Sequence, residues 1–170
     1  KMEGLEPYPR YEPIRDRFRN EVNTLVQFLK DEGLSTPVVN QCEVTYVNHI
    51  EPSGVWQRHG QLEKILSNWT AAPEPRFLPE AEDGGLRLRF VMRDESGKPV
   101  GRLHVLSHSA WKKMDNTPLM VLNLTARGEP LGEGIDGAFR FFEAGRRWIV
   151  NGFAELTTTQ MQRVWERING

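Results

Sequence analysis

The stretch LRLRFVMRDESGKPVGRLHVLS, residues 86–107, decides the fold expected of this chain. Apolar residues occupy every second position of its first half, a pattern typical of a strand with one face on a core and the other in water. Residues 94–99 include Asp, Ser, Gly and Pro, which favour a tight chain reversal. The sequence therefore predicts an antiparallel hairpin, with Phe90 on its core face together with Tyr46 of an earlier strand.

The segments around this hairpin are predicted to form further strands and helices. Apolar residues recur at every second position in the strand segments and at every third or fourth position in the helical ones. Gly33 is expected to end the first helix, and Thr157 or Thr158 to cap the last. The predicted order α-β-α-β-β-β-α-α favours an α+β fold with an antiparallel sheet of about four strands and helices on one face. The predicted elements cover residues 14–29, 38–50, 62–69, 86–93, 100–107, 119–126, 139–149 and 161–168.

Composition and charge limit the class of protein. Of the 170 residues, 38% are hydrophobic and 26% charged, values typical of a globular domain. The formal net charge of −1 gives the chain no overall electrostatic attraction to nucleic acid or membrane. A charged partner would therefore have to bind a local patch of opposite charge. The single cysteine, Cys42, excludes an internal disulfide framework. We expect one α+β domain over residues 1–170, in the cytoplasm of a bacterium and without membrane contact.

Two strand segments and the C-terminal tail carry a resemblance to a known family. Residues 43–50 contain a Tyr-x-Asn-x-Ile pattern, residues 119–124 form a second strand segment, and the tail carries a Met-x-x-x-Trp pattern after a Thr-rich turn. Together they resemble the C-terminal half of a sporadically distributed family of uncharacterised bacterial proteins. The resemblance covers the chain from Arg10 onwards, implies that the chain is the C-terminal part of a longer protein, and implies no catalytic residue. The motif residues are Tyr46, Asn48, Ile50, Thr158, Met161 and Trp165.

The basic residues of the hairpin form the candidate binding site. Arg87, Arg89 and Arg93 lie between the apolar positions, so strand geometry directs them to the face away from the core. Basic residues of the partner strand are expected beside them on that face. Such a patch suits an anionic partner, although charged residues are also common where a sheet face only meets water. The candidate residues are Arg87, Arg89, Arg93, Arg102 and His104, with His108 further along the same strand.

Other suggestive patterns have simpler interpretations. Residues 132–137 spell GxGxxG, but the preceding strand ends too early and the acidic residues nearby would repel a phosphate, so a loop and helix start is favoured. His104 and His108 would be about 13 Å apart on a strand, too far to share an ion. Cys42 lies on the apolar face of its strand, where thiols are normally unreactive. The sequence predicts no catalytic, cofactor or metal site.

These features favour a non-catalytic binding or protein-interaction module with a protein partner. One alternative is a module that binds an anionic ligand or nucleic acid through the basic sheet face. Another is an enzyme whose site assembles from residues distant in the sequence.

Overall fold

A computed structural model describes residues 10–71, 73 and 76–165. It confirms the α+β class, the order α-β-α-β-β-β-α-α and a four-stranded antiparallel sheet. The chain divides into two compact units between Val39 and Asn40, and the single domain expected for residues 1–170 stays a prediction. The elements are α1 (Tyr11–Asp31), β1 (Cys42–Ile50), α2 (Leu62–Ile65), β2 (Leu86–Arg93), β3 (Pro99–Trp111), β4 (Pro118–Gly128), α3 (Gly134–Leu156) and α4 (Thr159–Val164).

The first unit contains α1. The helix ends as the sequence predicts, because Gly33 adopts a φ of 67° and the Leu34 amide donates to the Leu29 carbonyl at 2.8 Å. No residue of α1 is buried, and the side chains of Phe18 and Phe28 are 46% and 56% exposed. The apolar stripe that predicts the helix is therefore not core material in this structure.

The second unit is built on the sheet, whose strands lie in the order β1-β4-β3-β2. All three strand pairs are antiparallel, and residues directly opposite each other project from the same face. One face, here called the inner face, carries mostly apolar residues. The inner-face residues of the central strands are Leu103, Val105 and Ser107 on β3 and Met120, Leu122, Leu124 and Ala126 on β4.

Helix α3 covers the inner face because glycines let it approach the sheet. A Cβ on Gly145 would lie 2.8 Å from Val44 Cγ1 and 3.0 Å from Ala126 Cβ. A Cβ on Gly152 would lie 3.0 Å from Leu103 Cδ2. These contacts place α3 over β1, β4 and β3, and buried side chains such as Phe141 fill the space between them.

The inner face of β2 is covered less completely than the sequence predicts. Phe90 projects from the inner face as expected, but it is 37% exposed and is not a core residue. Tyr46 on β1 is half-buried, whereas Met92 on β2 is fully buried. The pattern of the strand thus gives the direction of these side chains correctly, and the position of α3 decides how deeply each is buried.

Helices α2 and α4 pack together, and Leu66 after α2 forms an isolated β-bridge with Thr157 at the end of α3. The Thr158 hydroxyl caps α4 as predicted, accepting from the Met161 amide at 3.3 Å and donating to the Lys64 carbonyl at 2.6 Å. Trp56 is fully buried, and its Nε1 donates to the Glu51 carbonyl at 2.9 Å. None of the described helices has both the length and the apolar character needed to cross a lipid bilayer.

Candidate functional site

The face of the sheet away from α3, here called the outer face, carries polar and basic residues. The strand register sets them in rows that cross the sheet from β2 through β3 and β4 to β1. Side chains within a row are direct cross-strand neighbours, with Cβ atoms about 5 Å apart. The three central rows are Val91–Arg102–Arg127–Glu43, Arg89–His104–Thr125–Thr45 and Arg87–Leu106–Asn123–Val47.

These rows enclose a shallow depression of about 620 Å³, here called the outer groove. Its polar wall groups are cationic, carboxylate, hydroxyl and amide side chains that can hydrogen-bond to a ligand, and leucine and valine residues complete the lining. The polar residues that line it are Glu43, Thr45, Arg87, Arg89, His104, Asn123, Thr125 and Arg127.

The charges of the outer groove do not cancel. Arg127 Nε donates to Glu43 Oε2 at 2.6 Å, which neutralises that carboxylate locally. Arg87 and Arg89 are exposed, and neither forms an ion pair with any residue that the structure describes. An excess of positive charge therefore remains on the β2 side of the groove.

His104 lies directly opposite Arg89 and is partly buried in the groove. Burial, together with the positive charges of Arg89 and Arg127, holds the pKa of its imidazole below the ordinary value of 6.5. At neutral pH the ring is therefore mainly uncharged, and it can donate or accept one hydrogen bond.

The β4 and β1 side of the groove presents uncharged polar groups. The hydroxyls of Thr45 and Thr125 hydrogen-bond to each other at 2.8 Å. The Oδ1 atom of Asn123 is buried and has no hydrogen-bond partner among the described residues. A buried amide oxygen without a partner is uncommon in proteins, and a ligand that donates a hydrogen bond would satisfy it.

The structure brings together some of the predicted site residues and separates others. Arg87, Arg89 and His104 line the outer groove together, as the sequence predicts. Arg102 lies on the outer face but outside the groove lining, and its Nη1 donates to the Gly101 carbonyl at 2.9 Å. His108 is on the same face, one row beyond the three central rows.

Arg93 does not line the outer groove. The register shifts between Met92 and Arg93, because Met92 pairs with Gly101 and Arg93 with Pro99, which leaves Val100 of β3 as the extra residue of a bulge. Arg93 Nη1 donates to the Gly97 carbonyl at 2.7 Å, and the residue lines a cleft together with Phe90. Its assignment to the binding site stays a prediction.

Arg127, Thr45, Thr125 and Asn123 are groove residues that sequence reasoning misses. Each occupies a polar position between apolar ones, a signal that was readable on β4. Arg127, Thr125 and Asn123 lie beside the hairpin through the pairing of β4 with β3. Thr45 joins them only through the pairing of β1 with β4, which brings together Thr45 and Thr125, 80 positions apart. That pairing cannot be derived from local pattern.

The remaining candidate motifs are structural. Helix α3 starts at Gly134 within the GxGxxG stretch, which confirms the interpretation as a helix start, and the sheet before it is antiparallel throughout. A Cβ on Gly137 would collide with the Gly132 carbonyl, so the glycine is needed for close packing of the loop. Cys42 is buried and its burial raises the pKa of the thiol, which keeps it protonated. No group of three His, Cys, Asp or Glu among the described residues is placed to hold a metal ion.

Comparison of the chain with protein-family models, with curated proteins and with solved structures finds no match. The resemblance to the bacterial family named above therefore stays a prediction.

Proposed function

We propose that the protein is a non-catalytic binding module that holds an anionic group in the outer groove. The observation that carries this proposal is the pair Arg87 and Arg89, two exposed guanidiniums without an ion-pair partner among the described residues, facing one groove. A guanidinium forms two parallel hydrogen bonds to a carboxylate or phosphate group, and two of them side by side suit such a ligand.

The other groove residues support binding of an anion over nucleophilic catalysis. The carboxylate of Glu43 is paired with Arg127 at 2.6 Å, so it is not positioned as a free general base. A nucleophilic hydroxyl needs a base within hydrogen-bond reach. The hydroxyls of Thr45 and Thr125 bond to each other at 2.8 Å, and among the described residues neither is hydrogen-bonded to the neighbouring His104.

The apolar residues of the outer face favour a compact anion or an acidic protein segment over nucleic acid. Val47, Leu106 and Val91 are its exposed apolar side chains, and all of them are aliphatic. Proteins that bind single-stranded nucleic acid commonly stack the bases on aromatic side chains, which these positions do not provide. An anionic group on a protein partner would agree with both the protein partner and the anionic ligand that the sequence predicts.

The proposal is tested by reversing the charge of the two arginines. Arg87→Glu combined with Arg89→Glu is expected to abolish binding of inorganic pyrophosphate in calorimetry and retention on heparin at low salt. Because both side chains are exposed, the free energy of unfolding should change by less than about 1 kcal/mol.

The matched control is Lys98→Glu combined with Lys113→Glu, which changes the net charge equally at exposed positions outside the groove. This control is expected to bind pyrophosphate as the natural chain does. Equal loss in both double variants, or no affinity of the natural chain for either anion, would refute the proposal.

A further inference from the structure

Strand β2 lies at one edge of the sheet and has a free side. Among the described strands β2 pairs only with β3, so the backbone N–H and C=O groups along the other side of its eight residues have no strand partner. A free strand edge is a template on which another extended chain can pair.

A cleft lies on the inner side of this edge. It has a volume of about 550 Å³ and lies beside β2, because α3 covers the other three strands. Phe90, Leu103, Trp148 and Leu156 provide its apolar surface, beside charged lining residues that include Arg93, Glu95 and Arg147. Phe90 is 37% exposed. This cleft, here called the inner cleft, gives an apolar side chain a place to be buried beside the free edge.

The outer side of the same edge carries the opposite chemistry. Arg87 and Arg89 project from the outer face of β2, whereas Leu88 between them and Phe90 beyond Arg89 project from the inner face. An added strand would alternate its own side chains between the two faces in the same way. Its residues on one side would meet the inner cleft, and its residues on the other would meet the two guanidiniums.

We propose that an extended peptide, in which apolar residues alternate with Asp or Glu, adds to the sheet as a fifth strand beside β2. Its backbone pairs with the free edge, its apolar side chains enter the inner cleft against Phe90 and Trp148, and its carboxylates meet Arg87 and Arg89. The carboxylate contacts rest on the proposed anion preference of the outer groove, whereas the edge and the inner cleft are independent of it.

Charge disfavours the β2 strand of a second copy as the occupant. Two β2 strands paired edge to edge would set the arginines of one copy beside those of the other, and like charges on neighbouring strands are destabilising. An acidic strand has complementary charge at the same positions. The partner is therefore an acidic, alternating segment of another protein.

The experiment uses the full chain and a labelled synthetic peptide as long as β2 that alternates leucine with glutamate. Fluorescence anisotropy is expected to show binding that weakens at least about tenfold when the same residues are arranged in two blocks, or when lysine replaces glutamate. Alternate amides of the peptide form two sets, and only one set faces the edge of β2. N-methylation of that set should abolish binding, and N-methylation of the other set should leave binding intact.

Variants separate the two halves of the proposal. Phe90→Ala is expected to weaken peptide binding about tenfold and to leave pyrophosphate binding unchanged, with Phe90→Leu restoring most of the affinity. Arg89→Ala should weaken the binding of both the peptide and pyrophosphate. Circular dichroism of each variant verifies the fold.

Three results would overturn the inference. They are equal binding of the alternating and block peptides, tolerance of both methylation sets, and dimers of the natural chain in ultracentrifugation that Phe90→Ala dissociates. Pyrophosphate binding together with any of these outcomes leaves the outer-groove proposal standing. A further result concerns both proposals. If the natural chain does not bind pyrophosphate and Arg89→Ala leaves peptide binding unchanged, the outer-groove proposal and the carboxylate contacts are both refuted.

Discussion

His104 is the histidine of the outer groove, and its charge is expected to change below neutral pH. It lies directly opposite Arg89 on one side and Thr125 on the other, so it is surrounded by the groups that would hold a ligand. Its burial and two nearby guanidiniums favour the neutral ring over the charged one. An anion in the groove would cancel part of that positive potential.

The pKa of His104 is therefore expected to rise when pyrophosphate binds and when Arg89 is replaced by Ala. A titration followed by NMR of the imidazole protons measures both changes. Arg102→Ala is the control, because Arg102 lies in a neighbouring row and its guanidinium bonds to the Gly101 carbonyl. A pKa that moves equally in both variants would contradict the assignment of Arg89 as a cause.

The lowered pKa of His104 also links stability to pH. Because the folded-state pKa lies below the ordinary 6.5, the unfolded chain takes up this proton more readily than the folded one. The free energy of unfolding should therefore fall as the pH drops from 6.5 through the folded-state pKa, and His104→Gln should remove that part of the dependence. Urea unfolding at several pH values compares the two chains.

At the scale of the element, β2 shows which structural features the alternation of apolar residues predicts and which it does not. The alternation of residues 86–93 predicts the strand with its observed bounds and directs Arg87 and Arg89 to the outer face correctly. It cannot predict the irregular pairing at Arg93, because the extra residue of the bulge lies on β3 and leaves no trace in the period of β2. It also cannot predict which strands α3 covers, and so the depth to which Phe90 is buried.

Phe90→Ala is expected to lower the free energy of unfolding by about 1–2 kcal/mol, because the half-exposed ring loses only part of its contacts. Leu103→Ala, in the neighbouring strand and under α3, should cost roughly 2–5 kcal/mol. Leu103 is 2% exposed, which is the physical reason for the difference. Denaturant unfolding of both variants gives the two values, and equal losses would show that Phe90 is covered in solution.

At the scale of the whole molecule, the buried core belongs to the second compact unit. Every buried residue among those described lies between Cys42 and Met161, and α1 contributes none. The spacing of apolar residues in α1 predicts the helix correctly, but pattern alone does not reveal whether the stripe is buried.

A fragment that begins at Asn40 is therefore expected to unfold cooperatively and to keep its affinity for heparin. A thermal melt followed by circular dichroism and the salt concentration of elution from heparin measure the two properties. A fragment without a cooperative transition would show that residues before Asn40 are needed for the fold.

The strand order has a consequence for how the chain assembles. Strands β2, β3 and β4 follow one another in sequence and pair as neighbours, so each contact closes a short loop. Strand β1 pairs with β4 across 80 positions at Thr45 and Thr125, and closing so long a loop costs more chain entropy before any contact forms. We therefore expect the three-stranded meander to form before β1 is added. The part of the outer groove on β2, β3 and β4, with Arg87, Arg89 and His104, would then form before Thr45 of β1 completes it.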